Sequence, residues 1–275
     1  MVKIEGISFV GGGRMAEAMI RGILQAGLVV AERIFVADPD PGRREILRSS
    51  YGVATYGDAA EVWGNDLIVL AVKPQVAGKV LRHCREKAGA RHLLISIAAG
   101  ITLASLEGAL QGADCRIVRV MPNTPALVQE GAAALSPGAR VSEADLQVAR
   151  TLFDAVGKSV VLDERYMDAV TGLSGSGPAY VLRFLEAMID AGIKVGLDQN
   201  TARTLAMQTI LGTVKLAMET GEHPAQLRAN VTSPGGTTIA GLHVMERRGF
   251  AGIVMDAVEA ATNRSAELGR PASGG

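Results

Sequence analysis

A glycine-rich segment near the start of the chain has the spacing of a dinucleotide-binding loop. Gly11, Gly13 and Ala16 form the pattern G-x-G-x-x-A directly after an apolar run and ahead of a helical pattern. In such a loop the first glycine permits a tight turn, the second lets backbone approach a pyrophosphate, and the small third residue lets helix and strand pack closely. The free amides of the helix N-terminus attract phosphate. A glycine turn without a ligand is the alternative interpretation.

Charged residues follow the second predicted strand, about 20 residues beyond these glycines, where such folds bind the adenosine ribose. Asp38 could bond the ribose hydroxyls, which favours NAD. Arg43 and Arg44 could instead receive the 2′-phosphate of NADP. The sequence leaves both open, and residues 38–41 (DPDP) are also an ordinary turn ahead of a helix.

Two further segments follow predicted strands and should border the same ligand. In an open parallel sheet the ligand crevice lies beyond the carboxyl ends of the strands. The residues that we assign to it are Ala71, Val72, Lys73 and Pro74 at the carboxyl end of one strand, and Ile97, Ala98 and Ala99 at the end of the next. Lys73 alone would be an ordinary surface charge, but its place in the crevice favours contact with phosphate or ribose.

A polar segment in the last quarter of the chain could bind a small carboxylate. Ser233 to Gly236 have the composition of a turn, and an apolar helical pattern begins near Thr237. Free amides and hydroxyls would therefore converge at a helix N-terminus. An ordinary helix cap after a Gly-Gly turn is the alternative interpretation.

Periodicity predicts the elements that position these residues. Short apolar runs typical of buried strands are Ile7 to Val10, Ile34 to Ala37, Leu67 to Val72, Leu93 to Ile97, Ile117 to Val120, Ala132 to Leu135 and Ser159 to Leu162. Helical spacing occupies Met15 to Gln25, Gln75 to Arg85, Glu143 to Val156, Tyr180 to Ile193, Thr201 to Glu219, Thr237 to Arg248 and Gly252 to Leu268.

The strand signal ends near residue 163, which divides the chain into two predicted domains. Residues 1–163 form an α/β, Rossmann-like domain with a doubly wound parallel sheet, and residues 164–275 form an all-helical domain. The helix from Thr201 is apolar on more than one face, and so short a domain cannot bury several such helices alone. We therefore expect the subunits to associate.

Composition excludes several classes of function. The 275 residues carry no formal net charge and only 4% aromatic side chains, which argues against a nucleic-acid or anionic-membrane partner and favours a small molecule. The two cysteines, Cys84 and Cys115, form no CxxC pair, and no secretory signal or run of the roughly 20 apolar residues needed to span a bilayer is present. We expect a cytoplasmic protein.

Five segments, in the same order along the chain, carry a family resemblance. They are FVGGGRMAEAM from Phe9, AVKPQ from Ala71, RVMPNTPA from Arg119, SGSGPAY from Ser174, and the long segment from Asn230 to Glu246. Together they resemble the pyrroline-5-carboxylate reductases over nearly the whole chain. The resemblance implies a Rossmann domain, a helical domain that interlocks two subunits, larger assemblies such as a decamer, and reduction of a cyclic imine to L-proline with NADPH or NADH.

The resemblance also implies roles for individual residues. It places Thr238 at the ring nitrogen as the catalytic residue, with Ser233 and the backbone of Gly236, Thr237 and Thr238 on the carboxylate. Glu164 matches a position near the imino acid, and Asn230 matches one near the nicotinamide. The cofactor loop comprises Gly11, Gly12, Gly13, Arg14, Met15 and Ala16.

Two residues depart from the family pattern at the cofactor site. Arg14 replaces the usual Asn of the first loop and could add a charged contact to the pyrophosphate. Asp58 stands where the family often has Asn, and it would repel a 2′-phosphate. Together with Asp38, Asp58 leaves the preference between NADPH and NADH open.

The chemistry implied needs positioning more than acid-base catalysis, because the cofactor supplies the hydride. Four scattered histidines form no dyad, and no motif with metal-ligand spacing occurs, so we expect no metal. One alternative is a β-hydroxyacid dehydrogenase, but the helix that should carry its catalytic lysine has none before Lys194. The other is a non-enzymatic dinucleotide-binding regulator, which would not need a carboxylate pocket.

Overall fold

The computed structural model describes residues 4–269. Its strands are β1 (Ile7–Val10), β2 (Ile34–Ala37), β3 (Ala54–Tyr56), β4 (Leu67–Leu70), β5 (Leu93–Ser96), β6 (Arg116–Met121), β7 (Gly131–Pro137) and β8 (Gly157–Val161). They form one sheet in the order β3-β2-β1-β4-β5-β6-β7-β8. β1 pairs in parallel with both β2 and β4. β2 and β3 are therefore added on one side of β1, and the later strands are added on the other side. This topology confirms the predicted Rossmann-like fold class.

The α-helices of the first half connect and cover these strands. They are α1 (Arg14–Gln25), α2 (Pro41–Tyr51), α3 (Pro74–Cys84), α4 (Leu103–Ala109), α5 (Glu143–Asp154) and α6 (Met167–Val170). Every residue of β1, β4 and β5 is buried, because helices lie on both faces of the sheet. The central strands are therefore a rigid support whose carboxyl ends can present loops to a ligand.

The α-helices of the second half follow a short π-helix at Thr171–Gly175. They are α7 (Gly177–Lys194), α8 (Gln199–Thr220), α9 (Pro224–Asn230), α10 (Thr237–Arg247) and α11 (Phe250–Gly269). α7 and α8 pack closely, since a Cβ at Gly192 would lie 2.8 Å from the Cβ of Ala202.

Three details of the sheet and its helices differ from the sequence-based expectation. β7 runs antiparallel to β6, because residues 122–130 are too few for the crossover that a parallel pair requires. The edge strand β3 was not predicted, since it has only three residues and all are half-buried. α2 has one buried residue, Leu47, and so lacks an apolar periodicity.

The chain divides into two compact units. The first contains the residues up to Ser176 together with α11 from Ala260 onward, and the second contains Gly177–Glu259. The predicted domain boundary at 163 and 164 differs from this division, because α6 and the π-helix belong to the first unit. The compact units thus divide after Ser176, and a functional boundary between residues 163 and 164 stays a prediction.

Within residues 4–269, no helix combines the length and apolar character that crossing a membrane requires.

Candidate functional site

The glycine loop between β1 and α1 has the geometry that its sequence predicts. Gly11 has a φ of +99°, and a Cβ there would lie 2.6 Å from the carbonyl oxygen of Ala71, so only glycine fits. At Gly13, by contrast, no atom lies within 4 Å of the position that a Cβ would take. Gly13 is the N-cap of α1 and offers no side chain to the first helix amides. The loop therefore leaves a helix N-terminus open to an anion.

A cleft of about 470 Å³ adjoins this loop. Of the predicted cofactor residues, those that line it are Gly11, Gly13, Asp38, Ala71, Val72 and Lys73. Pro74 begins α3 immediately after them, and Ile97, Ala98 and Ala99 follow β5 at the same carboxyl edge of the sheet. At the start of α1, Arg14 is exposed, Met15 half-buried and Ala16 buried. The structure thus gathers the segments that the sequence predicts to meet.

Asp38 braces the loop through both carboxylate oxygens. The amide of Gly12 donates to Oδ2 at 2.8 Å, and the amide of Asp40 donates to Oδ1 at 2.9 Å. Each carboxylate oxygen can accept another hydrogen bond, so a ribose contact fits beside this structural role. Both interpretations of Asp38 are compatible with its geometry.

The two arginines after Asp38 lie in different surroundings. Arg43 donates to the carbonyl of Gly12 and forms an ion pair with Glu17. Arg44 donates to the carbonyls of Asp38 at 2.7 Å and Pro39 at 3.0 Å. The charge of Arg43 is therefore balanced by a carboxylate next to the glycine loop. Arg44 bonds only carbonyls near the predicted ribose end, and no carboxylate of the described residues pairs with it.

The Glu17 carboxylate receives two hydrogen bonds, one from Arg43 and one from the Tyr51 hydroxyl at 3.0 Å. Burial by itself would raise the pKa of Glu17, but these bonds outweigh it and the pKa lies below its ordinary value. Glu17 is thus held as an anion that ties α1 to α2.

Asp58 lies between Gly57 and Ala59, two residues that line the cleft. Its carboxylate accepts the Ala60 amide at 2.7 Å and the His83 ring at 2.9 and 3.0 Å. The amide of Ala60 and then the His83 ring lower the pKa of Asp58. His83, to which the sequence assigned no role, therefore bonds the carboxylate that would otherwise face a phosphate.

Glu164 follows β8 and binds a buried arginine. Its Oε1 accepts from Arg119 at 2.9 Å and from the amide of Leu103 at 2.7 Å. Sequence reasoning did not assign Arg119 to the site. The signal was available, because an arginine inside the apolar run Ile117 to Val120 must be paired if it is buried.

The segment that the sequence predicts to bind a carboxylate forms a turn ahead of α10. The amide of Gly236 donates to the carbonyl of Ser233 at 3.1 Å, and Gly235 has a φ of +68°. A Cβ at Gly236 would lie 2.3 Å from the Ser233 hydroxyl oxygen, so any other residue at this position would make the Ser233 side chain rotate away. α10 begins at Thr237, with Gly236 as an N-cap that makes no side-chain bond. The predicted turn at Ser233 to Gly236 and the predicted start of the helix at Thr237 are both confirmed.

The polar groups of this turn are accessible. Ser233 and Thr237 are exposed and Thr238 is half-buried. Across the described part of the chain, neither the Ser233 nor the Thr238 hydroxyl has a hydrogen-bond partner. Asn230, at the end of α9, accepts from Gln226 at 3.0 Å and is exposed. Their roles toward substrate and cofactor stay predictions.

Among residues 4–269, no group of three or more His, Cys, Asp or Glu side chains is arranged to hold a metal ion.

Two family models match the chain. Residues 164–268 match the model described as pyrroline-5-carboxylate reductase dimerisation. Residues 6–100 match the model described as NADP oxidoreductase, coenzyme F420-dependent. The first covers the region predicted to be helical, and the second covers the glycine loop and the cleft.

Relatives resemble the chain over almost its full length. A pyrroline-5-carboxylate reductase from Methanosarcina acetivorans is 44% identical over 96% of this chain and 98% of its own. A solved reductase of that name from Coxiella burnetii is 35% identical, with a TM-score of 0.93 over 98% of this chain and 100% of its own. Another, from Plasmodium falciparum with NADP bound, is 36% identical with a TM-score of 0.86 over 98% and 100%.

Proposed function

The chain belongs to the pyrroline-5-carboxylate reductase family, and we propose that it reduces the C=N bond of 1-pyrroline-5-carboxylate with NAD(P)H to give L-proline, the last step of proline biosynthesis. The observation that carries the proposal is the turn from Ser233 to Thr238. It presents unpartnered hydroxyls and the uncapped amides of α10, as a small carboxylate requires. The glycine loop by itself would suit any dinucleotide enzyme.

The first unit would hold the cofactor, and its residues fit one. The open space at Gly13 and the uncapped amides of α1 suit a pyrophosphate, and Arg14 adds a positive charge at the same helix end. Lys73 lines the cleft that would continue toward the sugars. When bound, the reduced nicotinamide supplies the hydride.

The second unit would hold the substrate carboxylate. The amides of Gly236, Thr237 and Thr238 and the Ser233 hydroxyl are donors at one helix end, where a carboxylate also gains from the helix dipole. The Thr238 hydroxyl would bond the ring nitrogen and pass a proton through water without ionising. These residues orient the imine rather than activate it with a strong base.

The preference between NADPH and NADH depends on the ribose end. The free charge of Arg44 and the His83 partner of Asp58 favour a 2′-phosphate, whereas Asp38 favours a free ribose. We therefore keep NADPH as the preferred cofactor with NADH as an alternative.

A homo-oligomer is part of the proposal. The match to a dimerisation model and the exposed apolar side chains of α8 support association through the helical region. A homodimer built on residues 164–275, a larger assembly such as a decamer, and a cytoplasmic location are our predictions from the sequence.

The test is loss of reduced-cofactor absorbance by the purified protein with 1-pyrroline-5-carboxylate, run in parallel with NADPH and NADH. We expect rapid oxidation that depends on the imine. No oxidation with either cofactor, from folded protein that still binds them, would reject the reductase and favour a dinucleotide-binding regulator.

A further inference from the structure

The edge strand β3 brings a second backbone segment to one end of the cleft. β3 pairs in parallel with β2, and the amide of Asp38 donates to the carbonyl of Tyr56 at 3.1 Å. The residues that follow these two, Pro39 and Gly57, both line the cleft. A dinucleotide bound to this kind of fold places its adenosine ribose at the end of the second strand. The two segments therefore border the predicted ribose end together.

The guanidinium of Arg44 lies against both segments. Its Nη1 donates to the carbonyls of Asp38 at 2.7 Å and Pro39 at 3.0 Å. In addition, a Cβ at Gly57 would lie 3.8 Å from the same nitrogen, which is van der Waals contact. The Arg44 side chain is half-buried. Arg44 is therefore a restrained charge at the ribose end, because two hydrogen bonds and this packing hold its head group.

Arg44 has no ion-pair partner among residues 4–269, unlike Arg43. Its Nε and Nη2 form no hydrogen bond within that range either. Neither nitrogen is buried, so both are open to a ligand. Arg43 lines the same cleft, but Glu17 is bound to its Nη2. Of the two arginines, Arg44 is thus the one with an uncompensated charge and a free pair of donors.

Three carboxylates oppose an anion at this end of the cleft. Asp38 and Asp40 line it, and Asp58 comes two residues after β3. Each accepts at least one backbone amide, and the His83 ring also bonds Asp58. These bonds stabilise the carboxylates as anions, which repel a phosphate. A 2′-phosphate therefore needs a nearby cation, and Arg44 supplies one.

We propose that Arg44 determines the use of NADPH by binding its 2′-phosphate through Nε and Nη2, while Nη1 stays on the two carbonyls. This inference rests on the cofactor site of the proposed function and assigns its specificity to one residue. Nε and Nη2 form one edge of the planar guanidinium, which can donate to two phosphate oxygens at once. Because the head group is already restrained, little side-chain freedom is lost on binding.

The experiment measures cofactor binding without the imine, so its result does not depend on turnover. The full-length protein is titrated with NADPH and with NADH, followed by cofactor fluorescence, and 2′,5′-ADP serves as a competitor. We expect Arg44→Gln to raise the Kd for NADPH roughly 10- to 100-fold, the range for a hydrogen bond to a charged group. The Kd for NADH should stay within about twofold, and 2′,5′-ADP should compete less well.

Arg43→Gln is the matched control. Arg43 bonds the carbonyl of Gly12 and the carboxylate of Glu17, so it acts on the glycine loop rather than on the ribose end. Any loss of affinity in Arg43→Gln should therefore be the same for NADPH and for NADH, because both cofactors share the pyrophosphate.

Gly57→Asp tests the charge of Arg44 while keeping Arg44 and its two hydrogen bonds. Gly57 does not have a positive φ, and no atom lies closer than 3.8 Å to the position of its Cβ. The added carboxylate should pair with Arg44 and weaken NADPH binding at least about tenfold relative to Gly57→Asn, which has the same size without the charge. This pair of variants also decides the question if Arg44→Gln disturbs the fold.

Equal losses for both cofactors in Arg44→Gln, or a loss confined to NADPH in Arg43→Gln, would overturn the role of Arg44. So would a Gly57→Asp variant that binds NADPH as tightly as Gly57→Asn. Wild-type protein that shows the expected discrimination but does not reduce the imine would reject the proposed reductase and support the role of Arg44. Wild-type protein that binds neither cofactor would reject both.

Discussion

The two compact units differ in how they bury their apolar side chains. The first contains an extensive core around the sheet, in which Ile7, Phe9, Met19 and Phe153 are almost fully buried. In residues 177–259, all of them described, the only buried side chains are Ala202 and Ala206. Large apolar residues are exposed instead, including Met207, Leu211, Val214 and Met218 along α8.

The spacing of these α8 residues is i, i+4, i+7 and i+11, which places them on one stripe of the helix. Such a stripe on a monomer marks an association surface rather than a core. The comparison shows that the first unit has a large core of its own, whereas the second leaves its large apolar side chains exposed, which is the pattern that the proposed homo-oligomer requires.

Of the substitutions that test this difference between the units, we expect the largest effect from a charge on the apolar stripe of α8. Leu211→Glu would bury an unpaired carboxylate in the proposed subunit interface, which costs roughly 2–5 kcal/mol per protomer. We expect light scattering on a sizing column to show a smaller assembly. Val128→Glu, at a 72% exposed apolar residue of the first unit, is the control and should leave the mass unchanged. Retention of the full mass by Leu211→Glu would mean that α8 is not the interface.

Substitutions at two glycines of the first unit should affect different properties, Gly11 the stability of the fold and Gly13 the binding of the cofactor. Gly11→Ala forces a positive φ on alanine and pushes its Cβ against the Ala71 carbonyl, so we expect a loss of about 2–4 kcal/mol in the free energy of unfolding. Denaturant titration measures it.

Gly13→Val is the matched control for that change. Its side chain enters open space, so its stability should fall by less than about 1 kcal/mol. It should nevertheless weaken NADPH binding more than about tenfold, since the valine occupies the proposed pyrophosphate space. Unchanged affinity would argue against the loop as the phosphate site.

In the second unit, a substitution at Thr238 should lower activity without lowering stability. The Thr238 hydroxyl has no hydrogen-bond partner in the described residues, so Thr238→Ala should leave the Tm unchanged. We expect kcat to fall roughly 10- to 100-fold, as for a bond to a charged substrate atom, while cofactor affinity stays the same. Thr238→Ser keeps the hydroxyl and should retain most activity. Equal losses in turnover and cofactor affinity would contradict the assignment.

The smallest effect concerns the acid stability of the first unit. The folded-state pKa of Glu17 is lowered, so its contribution to stability is present above the unfolded pKa and is lost as pH falls through the folded pKa. Glu17→Gln should therefore be less stable than wild type by about 1 kcal/mol at neutral pH, the upper range for a partly exposed ion pair. The difference should shrink below the ordinary glutamate pKa. A constant difference across pH, measured by urea titration, would exclude the ion pair as its cause.

Much of the first unit could be predicted because its signals are local. β1, the glycine loop and α1 occur where periodicity and glycine spacing place them, within one residue for α1. β3 was not predicted, and α2 was expected only as a helix after the turn at residues 38–41, because neither has an apolar pattern of its own and both are held by neighbours in the fold. In the second unit the long helices were predicted, but α9 was not, since its seven residues are too few to show a helical periodicity.

The features of the candidate site also divide into those that local sequence predicts and those that depend on distant contacts. The turn at Ser233 and the start of α10 at Thr237 follow from local glycine and cap chemistry, which the sequence contains. The different surroundings of Arg43 and Arg44 do not, because the ion pair of Arg43 depends on Glu17, which lies 26 positions away, whereas Arg44 bonds only the nearby carbonyls of Asp38 and Pro39. The His83 bond to Asp58 and the Arg119 bond to Glu164 join residues 25 and 45 positions apart.

By itself the sequence determined the fold class, the loop that suits a dinucleotide, the turn that suits a carboxylate and the family resemblance, because each depends on residue types at short, fixed spacings. Only the tertiary structure decided which charges are paired, that β7 reverses direction, and that Arg119 and the Leu103 amide share one oxygen of Glu164. Those properties depend on contacts between segments that meet only when the sheet has formed.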